Sequence, residues 1–155
     1  MAGQAIPDDL SALIPEVREW NDGAGVTPEA WIGMMGTYEL AVGYSLIFWP
    51  RFVQFDGYVL RESFSETSLR GFEQTTNRDR RSIEAVMNHV HAIDIHCNEP
   101  DPTEAQLRYL GRVLRDIHEV KLKSDFPHLG FVVAFNDEPG LDPADYQLTF
   151  WQTTD

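Results

Sequence analysis

The sequence has one cysteine, Cys97, among 155 residues. A lone thiol closes no internal disulfide, so stability has to come from buried apolar surface, and a reducing, cytoplasmic setting is the expectation. Long apolar runs are missing too. The run Leu46 to Trp49 is stopped by Pro50 and Arg51, far short of the roughly 18 apolar residues a membrane-spanning helix needs. Residues 1–9 carry neither a basic leader nor an apolar core, and they read as a flexible N-terminal arm ahead of a single globular domain at 10–155.

Basic residues are scarce: 12 Lys and Arg stand against 25 Asp and Glu, for a formal net charge of −13. A field of that sign repels phosphate backbones and anionic lipid surfaces. Neither direct nucleic-acid binding nor membrane association is therefore expected, whereas encounter with a basic partner protein is accelerated. The common catalytic signatures are absent as well. The chain contains no GxxxxGK[ST] loop, GxGxxG turn, GxSxG elbow or HExxH pair. Internal repeats are also lacking, as is any polar linker long enough to separate a pair of domains.

What the chain does have is 43% apolar residues with nine Phe, five Tyr and four Trp, ample for one core at this length. Leu13, Val17 and Trp20 recur at four- and three-residue steps and predict a helix over Ser11 to Trp20, stopped by Asn21-Asp22-Gly23. Thr27-Pro28-Glu29 reads as a cap, a first-turn proline and an acid, starting a second helix that Gly36 ends. Tyr38 to Phe48 fits either helix or strand, and the reading leans to helix. Asp56-Gly57 between the β-prone arms of Phe52 to Leu60 predicts a hairpin with a type I′ turn. A short helix is expected from Ser65 to Gln74, then one capped by Asn77 or Asp79 that carries Ile83, Val86, Met87 and Val90 on one stripe and runs to His91. Pro100 and Pro102 break the chain. Thr103 caps the plainest helix, Glu104 to Ser124, with opposite charges four apart at Glu104 and Arg108, Arg112 and Asp116, and Arg115 and Glu119. Two strands, Phe131 to Asn136 and Tyr146 to Gln152, follow across an acidic loop and should pair antiparallel. The expected fold is α+β, with helices packed on one face of a mainly antiparallel sheet.

Two groups of residues are candidates for function. His89, His91, Asp94 and His96, with Cys97 beside them, crowd metal-binding side chains into nine residues, which makes zinc or another divalent transition metal the alternative cofactor to none. Their spacing fits no single helix or strand face, so ordinary helix-end histidines are the competing reading. The second group is aromatic and acidic. Trp49 and Tyr58 with Glu39, Asp56 and Glu62, extended by Asp137, Glu138, Asp142 and Asp145, would form an apolar anchor with an acidic rim.

In acidic composition, and in nothing more specific, the chain resembles small inhibitors such as immunity proteins, antitoxins and nucleic-acid mimics. The favoured reading is a non-enzymatic interaction module that binds, and by binding neutralises, a basic protein. Two alternatives stand beside it: a small metal-dependent enzyme using the histidine cluster, and a small-ligand binder with a pocket drawn from Tyr38 to Tyr58.

Overall fold

A computed structural model describes residues 10–98 and 100–153. The expected N-terminal arm, Glu99, Thr154 and Asp155 lie outside them. The fold is α+β, and every strand pairing among the described residues is antiparallel. None of the described helices is long and apolar enough to cross a membrane. By the density of its internal contacts the chain divides into two compact units between Tyr44 and Ser45.

In the first unit, the helix expected from Ser11 to Trp20 is broken. A 3₁₀ turn over Leu10–Ala12 is followed by a single turn of helix, α1 (Glu16–Glu19), with Pro15 at its N-cap. Proline supplies no backbone N–H and disfavours helical geometry in the residue before it, so the two pieces cannot join. Asn21, Asp22 and Gly23 then all take positive φ, the stop the sequence implies. Helix α2 (Pro28–Met35) starts where Thr27 accepts a hydrogen bond from the Ala30 amide at 3.1 Å, and Gly36 ends it. The Trp31 indole donates to Glu16 at 2.8 Å and ties α2 to α1. Helix α3 (Tyr38–Phe48) resolves the ambiguous segment as helix.

The second unit takes in the end of α3 from Ser45 and continues with the hairpin β1 (Phe52–Phe55) and β2 (Tyr58–Arg61). Asp56 and Gly57 have φ of 49° and 83°, the two positive values a type I′ turn needs. Helices α4 (Glu66–Thr75) and α5 (Arg80–Met87) follow, capped by Ser65 and Asp79. Helix α5 stops short of His91. The chain turns at Asn88 into a two-residue strand, β3 (Val90–His91), which pairs with the last strand. Next come α6 (Glu104–Asp125), β4 (Phe131–Phe135) and β5 (Gln147–Gln152), with β5 central in the order β3-β5-β4.

Hairpin and three-stranded sheet share no hydrogen-bonded strand pair. Their facing edges are joined through α5. The Glu84 carboxylate accepts the Val59 amide at 2.8 Å from β2, the Gln152 amide at 2.6 Å from β5, and the Gln152 side-chain amide at 2.5 Å. One helical turn on, the Asn88 amide donates to the Val59 carbonyl at 2.9 Å and the Phe150 carbonyl at 3.4 Å, and its oxygen accepts from the Arg61 amide at 3.2 Å. Both side chains are completely buried. Spaced four apart, they lie on one face of the helix. Between them they satisfy the edge groups of both strands, as a bridging strand would.

Apolar clusters flank this join. Phe52, Val59, Leu122 and Phe150 form one, and Tyr58, Leu60, Leu69 and Ile83 another. A third sets Ala92 and Tyr146 against Leu107. Helix α6 fits against the sheet at Gly111, where an added Cβ would lie 2.0 Å from the Phe135 ring, so only glycine permits that approach. The charges on α6 pair less locally than their spacing implies. Arg108 does meet Glu104 at 3.7 Å, yet Arg112 turns from Asp116 to Asp137, and Arg115 takes its neighbour Asp116 at 2.8 Å. A half-buried Asp137 beyond β4 offers Arg108 and Arg112 a better shielded partner than an exposed i+4 carboxylate.

Replacing Glu84 by Gln exchanges one acceptor oxygen for an N–H₂ facing amide donors, and so strands buried N–H groups. Glu84→Gln should lose about 2–4 kcal/mol of stability, read by urea denaturation against wild type; a loss below about 0.5 kcal/mol, the range of a neutral surface change, would count against the role assigned to this side chain.

Candidate functional site

The histidine group does not assemble. His91 sits in β3 with Nδ1 2.6 Å from the Ala144 carbonyl, and His89 turns its Nδ1 to the Val86 carbonyl, also at 2.6 Å. Each ring nitrogen therefore donates, and the two rings meet edge to face, with centroids 5.1 Å apart. Asp94 lies in the 3₁₀ turn Ala92–Ile95 that carries the chain away, with His96 and the exposed Cys97 beyond it. Among the described residues no three His, Cys, Asp or Glu side chains converge to hold a metal ion. Helix α5 ending at Met87 is the physical reason, because the strand and turn after it point successive side chains in different directions.

The proposed aromatic anchor and acidic rim are dispersed in a similar way. Tyr58 is buried at 7% exposure, and its hydroxyl donates to Glu73 at 3.1 Å. Asp56 is held by Arg70 at 2.6 Å, and Glu62 stands 3.9 Å from Arg51. Asp137 is gripped by both Arg108 and Arg112, at 2.9 and 2.7 Å. Burial opposes its charge, but the two guanidiniums prevail and hold the Asp137 carboxyl below the usual range. Trp49 is half exposed, with the Lys121 ammonium over its ring at 5.5 Å. Glu39, Glu138, Asp142 and Asp145 remain exposed. Of these, Asp142 also accepts from the Ala144 amide at the start of a short 3₁₀ turn.

What composition could not reveal is where the exposed apolar side chains fall. In the first unit Ile32, Met34, Met35, Tyr38, Leu40 and Val42 are between 45% and 91% exposed. Neither α2 nor α3 buries a single residue. Ordinary surfaces scatter such residues singly, whereas here six fall within eleven positions. Glu39 is the one charged residue among them. In the second unit Leu46 and Trp49 extend the same sequence of exposed apolar groups.

A second feature escaped the sequence. His118 on α6 is only 1% exposed. Its Nδ1 donates to the Leu114 carbonyl at 2.7 Å, which leaves Nε2 to accept from the Arg61 guanidinium at 3.0 Å. The ring is therefore neutral. Burial, reinforced by the Arg61 charge, pushes its pKa down to about 4 against the Leu114 hydrogen bond. Arg61, half-buried at the end of β2, has no carboxylate partner among the described residues, and burial lowers its pKa as well. Two clefts among the described residues take no wall from Tyr38 to Tyr58: one includes Arg61 and His89, and the other runs from Val17 to Thr27.

Compared with known proteins, the chain matches no family model, no curated protein and no solved structure.

A neutral buried histidine makes stability depend on pH. The unfolded chain binds a proton near the ordinary 6.5 and the folded chain only near 4, so the contribution of His118 is intact above pH 6.5 and is lost as pH falls toward 4. About 3 kcal/mol rides on that window. The Hε1 resonance of His118 should titrate with a midpoint near 4; a midpoint near 6.5 would contradict the buried, Arg61-facing geometry.

Proposed function

We propose that this protein works by binding another protein, one that is basic overall and apolar at its contact, and that α2 with the first half of α3 forms the binding surface. The observation that carries the reading is the group of exposed side chains Ile32, Met34, Met35, Tyr38, Leu40 and Val42 on helices that bury nothing. Leaving that much apolar surface in water has a free-energy cost that a partner would relieve. Tyrosine and methionine suit the task, the first as a rigid amphipathic anchor and the second as an adaptable filler. Charge selects the partner. A net charge of −13 draws a basic protein in from a distance, and Glu39 within the surface adds a fixed acid there. The acids Glu138, Asp142 and Asp145 in the β4–β5 connection add to the long-range field.

Occupying an active or nucleic-acid-binding surface of that partner would neutralise it. An inhibitor therefore fits the chemistry better than a catalyst. A metal-dependent reaction at His89, His91, Asp94 and His96 has no converged ligand set to rest on.

The test is a paired affinity capture from the source cell with wild type and the double variant Met35→Glu, Val42→Glu, both positions being exposed. Wild type should recover a basic protein whose binding weakens at least tenfold between low and high salt, and the variant should lose it while keeping the same melting temperature. Recovery of the same partner by the variant, or sedimentation showing that the face is covered by a second copy of the chain, would refute this reading.

A further inference from the structure

We infer that the outer edge of β4 is an interface for a second copy of this chain, the two strands pairing antiparallel about a two-fold axis through Val133. In the order β3-β5-β4, β4 is an end strand and pairs with β5 alone. Its ladder runs from the Thr153 amide, which donates to the Gly130 carbonyl at 3.0 Å, to the Asn136 amide, which donates to the Gln147 carbonyl at 3.1 Å. Residues of an antiparallel pair alternate between hydrogen-bonded and non-hydrogen-bonded positions, so Val132 and Ala134 turn their N–H and C=O groups to β5. Phe131, Val133 and Phe135 turn theirs outward, where they meet no hydrogen-bond partner among the described residues.

A sheet edge in this state is a template for another strand, and proteins ordinarily blunt it with charge, proline, a bulge or short length. Strand β4 has none of these devices. Its five residues, Phe131 to Phe135, are all apolar, and each faces a single residue of β5 without a bulge. The other edges differ: β3 is two residues long, while β1 carries Gln54 and follows Pro50 and Arg51. Nor does the net charge of −13 fall on β4. Gly130 and Asn136 at its ends are uncharged, and Asp137 beyond them is held by both Arg108 and Arg112.

The strand is complementary to itself. With Val133 on the axis, Phe131 lies opposite Phe135 of the second copy and Val133 opposite its own counterpart, so the outward N–H and C=O groups of all three residues are satisfied in both copies. Val132 then falls opposite Ala134, a β-branched residue beside a small one. The side chains agree with this register. Phe131 and Val133 pack toward Phe52, Val59, Leu122 and Phe150, and Phe135 packs toward Ala92, Leu107 and Tyr146. All three remain half-buried. Pairing sets Phe131 beside Phe135 of the second copy on that same face, which joins the apolar clusters of the two copies across the axis. A two-fold pair also consumes both edges and leaves no further strand to recruit. The inference is independent of the partner surface proposed on α2 and α3, because β4 belongs to the second unit.

The measurement is sedimentation equilibrium of the intact chain over a concentration series, paired with amide hydrogen exchange. The mass should rise with concentration from monomer to dimer and no further. As the dimer fills, the Phe131, Val133 and Phe135 amides should gain about tenfold or more in protection, while Val132 and Ala134 stay protected throughout. Val133→Pro removes an outward N–H and spares the β5 ladder, so it should keep the fold and lose the dimer. If Val133→Pro does not fold, the exchange pattern of the wild type decides alone. The double variant Met35→Glu, Val42→Glu should dimerise as the wild type does, which separates this interface from the partner surface on α2 and α3. A monomer at every concentration, a dimer whose three edge amides still exchange rapidly, a dimer in folded Val133→Pro, or loss of the dimer in the double variant would each overturn the inference.

Discussion

The second unit depends on one carboxylate that pairs with no cation among the described residues. Glu84 is completely buried, and its two oxygens accept three N–H groups drawn from β2 and β5. Neither strand pairs with the other, so without α5 both would present unsatisfied edges to the interior. Asn88 completes the arrangement because an amide both donates and accepts, which the alternating C=O and N–H groups of a strand edge require. Hydrogen bonds to an ionised acceptor are stronger than neutral ones, and burial excludes the water that would compete for them. The three apolar clusters then pack around a frame whose geometry α5 has set.

With the core of the second unit organised in this way, the apolar helices α2 and α3 stand out. Helices α4, α5 and α6 each bury at least one residue, whereas α2 and α3 bury none. The contrast is one of placement more than composition: α4 and α5 keep their apolar residues on an inward stripe, while α2 and α3 are apolar on most sides. A helix of that kind ordinarily lies inside something larger. This is why the α2–α3 segment, more than the dispersed acids, defines the surface proposed for a partner.

Much of the fold was legible because its signals are local. Thr27, Asp79 and Thr103 each cap the helix expected of them, through a bond to an amide three residues on, and Ser65 caps α4 in the same way. Asp56-Gly57 turns the hairpin through its own two positive φ values. Departures from the expected elements are of two kinds. Pro15 breaks the first helix by a local rule, since it carries no N–H and disfavours helix in the residue before it. Strand β3 was not visible, since two residues have no periodicity and Val90–His91 is a strand only by pairing with β5. Candidate sites were harder for the same reason. An acid's role depends on what the distant chain places beside it: Asp137 meets arginines 29 and 25 residues away, and Tyr58 is covered by α4 and α5. Arg61 and His118, 57 residues apart, had no shared signal in the sequence.

Native-state hydrogen exchange reads the role of Glu84 in the unmodified protein. The Val59 and Gln152 backbone amides, though bonded only to a side chain, should exchange solely through global unfolding, with an opening free energy equal to that from urea denaturation. Rapid exchange of either amide while the Phe131 to Phe135 ladder stays protected would show that the two sheets are held together by something other than this carboxylate.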